Sequence, residues 1–583
     1  MFRQAFRQVV IALLLILALS GAWAADVSAP TYSVKIEFST RVKMRDGVEL
    51  SVDIYRPDSD GRFPVILSRT PYNKSTPRGG HLELGRYFAA RGYVYVAMDV
   101  RGRGDSDGKF TPYRNEGPDG YDSIEWCAQQ SWSTGKVGTI GASYLGYDQW
   151  IAALEQPPHL TTMIVMTTPP DPFVESPTGL QSPTYMSWHL LISGHVLHNL
   201  AAVDWPSVYL HLPIYTMDTA AGIDSPYWRR VVDHPGIDQW WDPLIYQNKY
   251  ERVRVPIMHV SGWYDDEQAG ATMNYIGMTT KGSSPDLRRN QKLLMGPWPH
   301  AVNSTTHLGD IEFGPTAVID LNLYELRWFD HWLRGIDTGI MQEPPVRIFV
   351  MGENKWHDEK EWPIARTKYV DYYLHSKGHA NSLYGDGTLS PTPGTDEPAD
   401  RFTYDPATPV PFLMEPTYAQ LGGPDDYRPV ERRDDVLVFT SEPFDKSTTI
   451  CGPLRLKLSA ASSATDTDFM GKVIDVWPEG FAQRLYDGMV RARYREGGDH
   501  PSLITPGQVY TYDIDLWNTC QQLGKGHRIR LEVTSSAFPK YDRNQNTGEP
   551  LGKTANVKTA EQTIYHDAKH PSFVRIPIVP PEP

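Results

Sequence analysis

The chain reads as an α/β fold, a doubly wound parallel sheet with helices on both faces, followed by an all-β sandwich. Three observations predict this. Strand-like and helical stretches alternate up to residue 166, as parallel βαβ units require. Residues 170–245 break the rhythm with a stretch rich in Trp, Tyr, His and Pro, and the alternation resumes at Val255. Beyond residue 345, short alternating apolar runs stand between Pro, Gly, Asp and Asn clusters, the pattern of a sandwich. At 583 residues the chain is too long for one core. Its expected divisions are a signal peptide at 1–24, an α/β domain over 25–169 and 246–345, a helical cap at 170–245, and a β-sandwich over 346–583.

The elements follow in order. Arg3 and Arg7 precede an apolar run at 9–19 and a small-x-small site at Ala22-Trp23-Ala24. That layout predicts a secretory signal, a mature start at Ala25 and a secreted or periplasmic protein. A retained membrane anchor is the alternative, but the run is shorter than the ~20 residues a span needs. Residues 33–56 predict two strands around Asp46-Gly47. Residues 64–68 predict a buried strand leading into Arg69-Thr70-Pro71-Tyr72, and 82–91 a helix stopped by Gly92. A strand at 93–98 runs into Asp99-Val100-Arg101-Gly102, and a helix lies within 117–130. Further strands are expected at 163–166, 255–260 and 292–295. Helices are expected at 187–198, up to Lys281, and over 318–334.

The composition excludes some functions. A formal net charge of −14 disfavours nucleic acid and anionic membrane surfaces. The 48 Pro and 47 Gly are spread through the chain with no low-complexity tract, so they mark turns and not disorder. Of three cysteines, Cys127 falls on a predicted helix, while Cys451 and Cys520 each precede a strand-like run of the C-terminal region. In an oxidising compartment Cys451 and Cys520 are the favoured pair.

Gly141-Ala142-Ser143-Tyr144-Leu145-Gly146 joins a predicted strand to a predicted helix. Strand, Gly-x-Ser-x-Gly, helix is the setting of a nucleophile elbow, with the serine held out at a sheet's end. A serine hydroxyl needs an imidazole to take its proton and a carboxylate to orient that imidazole. Three predicted strands end in Ser143, Asp265 and His300, in the chain order Ser, Asp, His of α/β-hydrolases. Asp266 competes with Asp265 for the acid's place. The backbone N–H of Tyr144 is one expected oxyanion donor, and the phenol of Tyr72, in the loop after the third strand, is the other; a packing role for Tyr72 stays open. Residues 170–245 sit where a lid over an active site is usually inserted. No metal or other cofactor is expected.

These stretches resemble the cocaine esterase and Xaa-Pro dipeptidyl-peptidase family, which includes α-amino-acid ester hydrolases and glutaryl-cephalosporin acylases. The resemblance rests on the elbow and on Arg69-Thr70-Pro71-Tyr72, Asp99-Val100-Arg101-Gly102, Gly262-Trp263-Tyr264-Asp265 and Gly296-Pro297-Trp298-Pro299-His300. Asp466-Thr467-Asp468-Phe469 and Gly526-His527-Arg528-Ile529-Arg530 extend it into the C-terminal region. It implies an α/β-hydrolase core, a helical cap and a C-terminal jelly roll. It also implies a Ser143–Asp265–His300 triad with Tyr72 donating to the oxyanion. Trp263 and Glu267 are candidate substrate contacts. In the amino-ester hydrolases part of an ammonium-binding acid cluster lies two and three residues after the triad aspartate. Here those positions are Glu267 and Gln268, so only one acid matches, which weakens an amino-ester assignment and leaves Glu267 either an ammonium contact or a solvated loop acid. The expected function is a secreted serine hydrolase of small acyl esters or amides, acting through an acyl-enzyme, with small molecules or short peptides as partners and no membrane contact after signal removal. The alternatives are an Xaa-Pro dipeptidyl-peptidase and a non-catalytic binding protein on a hydrolase scaffold. The intact triad argues against the last.

Overall fold

The computed structural model describes residues 27–414 and 422–581. The expected signal peptide at 1–24 lies outside the described residues. The first sheet is built from β1 (Val34–Lys43), β2 (Glu49–Pro57), β3 (Phe63–Thr70), β4 (Val94–Asp99), β5 (Ser133–Ala142), β6 (Leu160–Met166), β7 (Ile257–Gly262) and β8 (Gln291–Gly296). After a small hairpin of β9 (His307–Leu308) and β10 (Ile311–Glu312), β11 (Val346–Val350) and β12 (Lys355–Glu359) complete it. The strand order is β1-β2-β4-β3-β5-β6-β7-β8-β11-β12. β3 to β8 and β11 run parallel, while β1, β2 and β12 pair antiparallel at the two edges. The central strands read as near-continuous apolar runs because helices cover both faces. β3, β4, β7 and β8 are buried along their whole length.

The expected change of domain at residue 346 is corrected by this sheet. β11 pairs with β8, with Val346 opposite Leu293, and β12 pairs with β11. Both strands belong to the α/β domain, so the change comes after Glu359. A short alternating strand looks the same in sequence whichever sheet it joins.

The C-terminal β domain is an 11-stranded assembly of β13 (Lys368–His375), β14 (Thr388–Ser390), β15 (Asp400–Tyr404), β16 (Leu437–Ser441), β17 (Thr448–Ser462), β18 (Asp468–Val476), β19 (Ala482–Arg491), β20 (Tyr510–Leu523), β21 (Arg528–Thr534), β22 (Ala560–Tyr565) and β23 (Phe573–Val579). Its core is formed by alternate apolar residues of facing strands, such as Leu454, Leu456, Leu458, Ile514, Leu516 and Leu531. Cys451 and Cys520 face each other on β17 and β20 and form the expected disulfide. Cys127 is buried and free.

Between β6 and β7 the chain forms short helices, among them Pro172–Glu175, Tyr185–Leu191 and Pro226–Asp233. The helix expected over 187–198 ends at Leu191, and Gly194 turns the chain with a φ of +73°. The carbonyls of Ile192 and Gly194 then accept from the buried Arg103 guanidinium. The β domain clasps the start of this segment. Arg491, fully buried, makes a two-pronged pair with Asp468 at 2.8 Å on each arm and donates to the Thr178 carbonyl at 3.0 Å. Phe173 packs edge-on against Tyr494. Asp468 of Asp466-Thr467-Asp468-Phe469 therefore holds the arginine that anchors the helical segment to the β domain. Among the described residues, no helix is long and apolar enough to cross a membrane.

Candidate active site

The elbow forms at the end of β5, where Ser143 adopts φ 61° and ψ −126° before the helix Tyr144–Leu154. Such backbone strain in a non-glycine residue is held only by its surroundings and clusters at functional sites. Here the Ser143 N–H donates to the Met166 carbonyl at 2.9 Å, and the Ser143 carbonyl accepts from Gly146 and Tyr147. The two flanking glycines are required by close approach. A Cβ on Gly141 would lie 2.4 Å from Leu145 Cβ, and one on Gly146 would lie 2.3 Å from Thr168 Oγ1.

Asp265 and His300 come from the loops after β7 and β8, which are hydrogen-bonded to each other. Trp263 N–H donates to the Gly296 carbonyl at 2.9 Å and Tyr264 N–H to the Trp298 carbonyl at 3.1 Å. This pairing sets His300 Nδ1 2.7 Å from Asp265 Oδ1. Asp265 is fully buried, accepts from the Ser261 hydroxyl at 2.6 Å and from the Glu267 N–H at 3.0 Å, and is thereby fixed as an acceptor. Its backbone carbonyl accepts from the Tyr486 phenol of the β domain at 2.8 Å. Asp266 Oδ1 lies farther from His300 Nδ1, at 3.4 Å. With Nδ1–H given to Asp265, Nε2 is left as the basic nitrogen. Burial disfavours the His300 imidazolium, but Asp265 and Asp266 outweigh it and hold the ring's pKa well above the ordinary histidine value.

Tyr72 stands on the loop after β3. Its loop is clamped from both sides: Arg103 Nε donates to the Pro71 carbonyl and the Lys74 N–H to Asp99, each at 2.7 Å. Asp99 of Asp99-Val100-Arg101-Gly102 and the next residue, Arg103, supply that clamp. The Tyr72 phenol lies beside Ser143 and accepts from the Trp188 indole N–H at 3.0 Å. Burial pushes the phenol's pKa up. Below it, Arg69 and Glu116 form a buried ion pair at 2.6 Å, and Glu116 accepts from the Tyr144 phenol at 2.7 Å.

Glu267 is buried close to His300, and burial raises its pKa well above the usual carboxylate range, helped by the nearby charges of Glu175 and Asp266. Glu175, from the helix Pro172–Glu175, is pushed up to about 8 by burial and by Asp266. Among the described residues, one oxygen of each, Glu175 Oε1 and Glu267 Oε2, is buried without a hydrogen-bond partner. Glu175 also lines a small cavity of about 50 Å³ walled by Tyr113, Phe173, Leu180, Tyr227 and Trp241. Among the described residues one group has ligand atoms close enough to gather a metal ion, Asp265, Asp266 and His300.

The structure thus brings Ser143, Tyr72, Tyr144, Asp265, His300 and Glu267 to one end of the sheet. Trp263 is corrected. Its side chain is fully buried, donates to the Phe349 carbonyl at 2.7 Å and packs against Trp362 between the α/β and β domains. The turn after β7 sends it into the core and away from solvent. Glu175, Glu116 and Trp188 were not legible as site residues, since no local pattern marks them.

A sheet in this order, an elbow after its fifth strand and an acid–imidazole pair after its seventh and eighth define an α/β-hydrolase. Residues 46–302 match the X-Pro dipeptidyl-peptidase (S15 family) model, and residues 338–575 match the X-Pro dipeptidyl-peptidase C-terminal non-catalytic domain. A cocaine esterase of Rhodococcus sp. (strain MB1 Bresler) is 35% identical over 571 residues, covering 92% of this chain and 97% of the relative. Two solved structures are similar over nearly the whole chain. An α-amino acid ester hydrolase has a TM-score of 0.82 at 27% identity, covering 96% of this chain and 98% of its own. An aminopeptidase from a marine sediment archaeon, Thaumarchaeota archaeon, has a TM-score of 0.81 at 25% identity, covering 95% and 98%. The chain belongs to the cocaine esterase and Xaa-Pro dipeptidyl-peptidase family of α/β-hydrolases.

Proposed function

We propose that the protein is an exported serine hydrolase that cleaves small acyl esters or amides through an acyl-enzyme on Ser143. The observation that carries this reading is the His300 imidazole held by buried Asp265 at the sheet end where the strained elbow presents Ser143. In this mechanism His300 Nε2 takes the Ser143 proton as Oγ attacks the substrate carbonyl. The oxyanion is met by the Tyr144 N–H and the Tyr72 O–H. His300 then gives the proton to the leaving alcohol or amine, and the C–O or C–N bond breaks. Water, deprotonated by the same nitrogen, releases the acid from Ser143.

The acyl group we favour carries a protonated amine. Glu175 and Glu267 each keep a buried oxygen unpartnered among the described residues, and their raised pKa values favour the neutral form until a cation arrives. An ammonium beside them would restore both carboxylates. Release of Xaa-Pro dipeptides is the second reading, since a free N-terminal ammonium meets the same acids and the S15 match points that way. Export, with residues 1–24 removed, accords with the Cys451–Cys520 disulfide. N-terminal sequencing of the exported protein tests it, and a retained Met1 refutes it.

The decisive experiment pairs Ser143→Ala with a fluorophosphonate probe, followed by a panel of p-nitrophenyl esters, β-lactam side-chain amides and Xaa-Pro anilides. Turnover should fall by several orders of magnitude in the folded variant, and the probe should label Ser143 alone. Labelling of another serine refutes the mechanism.

A further inference from the structure

We propose that Trp188, on the helical segment between β6 and β7, is a positioning residue for the oxyanion hole, its indole N–H aiming the Tyr72 phenol while its ring lies on Tyr144. This deepens the reading that Ser143 is the nucleophile and rests on it.

The argument starts from donor counting. An indole has one N–H and no acceptor, and a phenol has one proton and two lone pairs. Trp188 Nε1 donates to the Tyr72 oxygen at 3.0 Å. That occupies a lone pair and forbids the Tyr72 proton from pointing toward the helical segment. The proton is left for the remaining directions, among them the side that Ser143 occupies. A phenol that accepts one hydrogen bond is also polarised to donate its own more strongly.

The indole is itself held. Its ring stacks on Tyr113 at 5.6 Å and 20°, and on Tyr144 at 6.1 Å and 30°, and it meets His189 edge-on at 5.3 Å. Tyr144 supplies the other proposed oxyanion donor through its backbone. Its phenol accepts from the Tyr113 N–H at 2.9 Å and donates to Glu116, which pairs with Arg69 on β3. Arg69 stands three residues before Tyr72 on the same strand end. The contacts therefore close a ring from Tyr72 through Trp188, Tyr144, Glu116 and Arg69 back to Tyr72. One side chain of the inserted segment bonds the Tyr72 phenol and stacks on the side chain of Tyr144, the residues that supply the two proposed donors, so the seating of that segment and the aim of the oxyanion hole are coupled.

The test is a double-mutant cycle with p-nitrophenyl acetate. Trp188→Phe keeps a stacking ring and removes the donor. Replacement by β-(3-benzothienyl)alanine exchanges only the N–H for sulfur, so the shape is kept should the phenylalanine variant fold poorly. Either change should lower kcat about tenfold, less than the ~100-fold expected for deleting a donor outright, with KM changed less than about threefold. In a Tyr72→Phe background the same replacement should alter kcat less than about twofold, because no phenol remains to be aimed. Equal factors in both backgrounds, or a loss confined to KM, overturn the proposal. If the fluorophosphonate still labels Ser143 in that case, the positioning role alone falls. If another serine is labelled, the hydrolase mechanism and this proposal fall together.

Discussion

Replacing Asp266 by asparagine separates the two adjacent carboxylates that face His300. Nδ1 has one proton, and Asp265 takes it at 2.7 Å. Asp266, at 3.4 Å, acts as a charge. Two unit charges at that separation attract by about 1 kcal/mol at the dielectric of water and about 5 kcal/mol at an effective value of about 20. At ~1.4 kcal/mol per pH unit, that spans about one to three and a half units. The His300 and Asp266 side chains are 30% and 22% exposed, and burial raises the Asp266 pKa, so both solvent screening and proton competition favour the lower bound. Catalysis needs neutral His300. In the unaltered protein the carboxylates hold the imidazolium, so the acid limb of kcat/KM should have its midpoint above about 6.5. Asp266→Asn removes a negative charge, lowers the His300 pKa and should carry the limb down by about one unit. The plateau should stay within a few-fold. Asp265→Asn should instead lower kcat by about 10⁴, as loss of the orienting acid does in the serine-protease template. The assay is kcat/KM against pH for both variants with an uncharged ester. An unmoved limb in Asp266→Asn, or a collapse of turnover in Asp266→Asn but not in Asp265→Asn, would refute this division of roles.

Three further outcomes follow from the same geometry. Tyr72→Phe should lower kcat about a hundredfold with a smaller change in KM, and an unchanged kcat makes the residue a packing aromatic. Glu175→Gln and Glu267→Gln should each raise KM about tenfold or more for α-amino esters while leaving p-nitrophenyl acetate within a few-fold; equal losses on both substrates deny the ammonium role. Tyr486→Phe removes one of the two donors to the Asp265 carbonyl, leaving the Gln268 N–H at 3.2 Å, and should cost about 0.5–1.5 kcal/mol of stability, read by thermal unfolding, together with a lower kcat; an unmoved melting temperature and rate would show that the β domain does not brace the acid.

The central α/β fold and the triad candidates were legible in sequence because each depends on short-range order. Ser143 stands between a strand and a helix with glycines on either side, and Asp265 and His300 directly follow apolar strands. A parallel sheet lines up its strand ends, so residues at such ends converge without any long-range information. Cys451 and Cys520 belonged to the same C-terminal region, and their strands proved to be neighbours.

What tertiary structure decided is everything that depends on which surfaces meet. β11 and β12 alternate like the sandwich strands, and only pairing with β8 assigns them to the first sheet. Trp263 stands two residues before Asp265, yet the turn after β7 sends it into the domain junction. Glu175 and Trp188 lie in an insertion without periodicity. They reach the site because that segment packs over the sheet's end, with Arg491 gripping Thr178 and Arg103 gripping Ile192. The sequence by itself determined the residues for the chemistry, since strand and loop order place them locally. Their partners, the acids for a cation and the indole aimed at Tyr72, were decided by the packing of segments far apart in the chain, which no local pattern encodes.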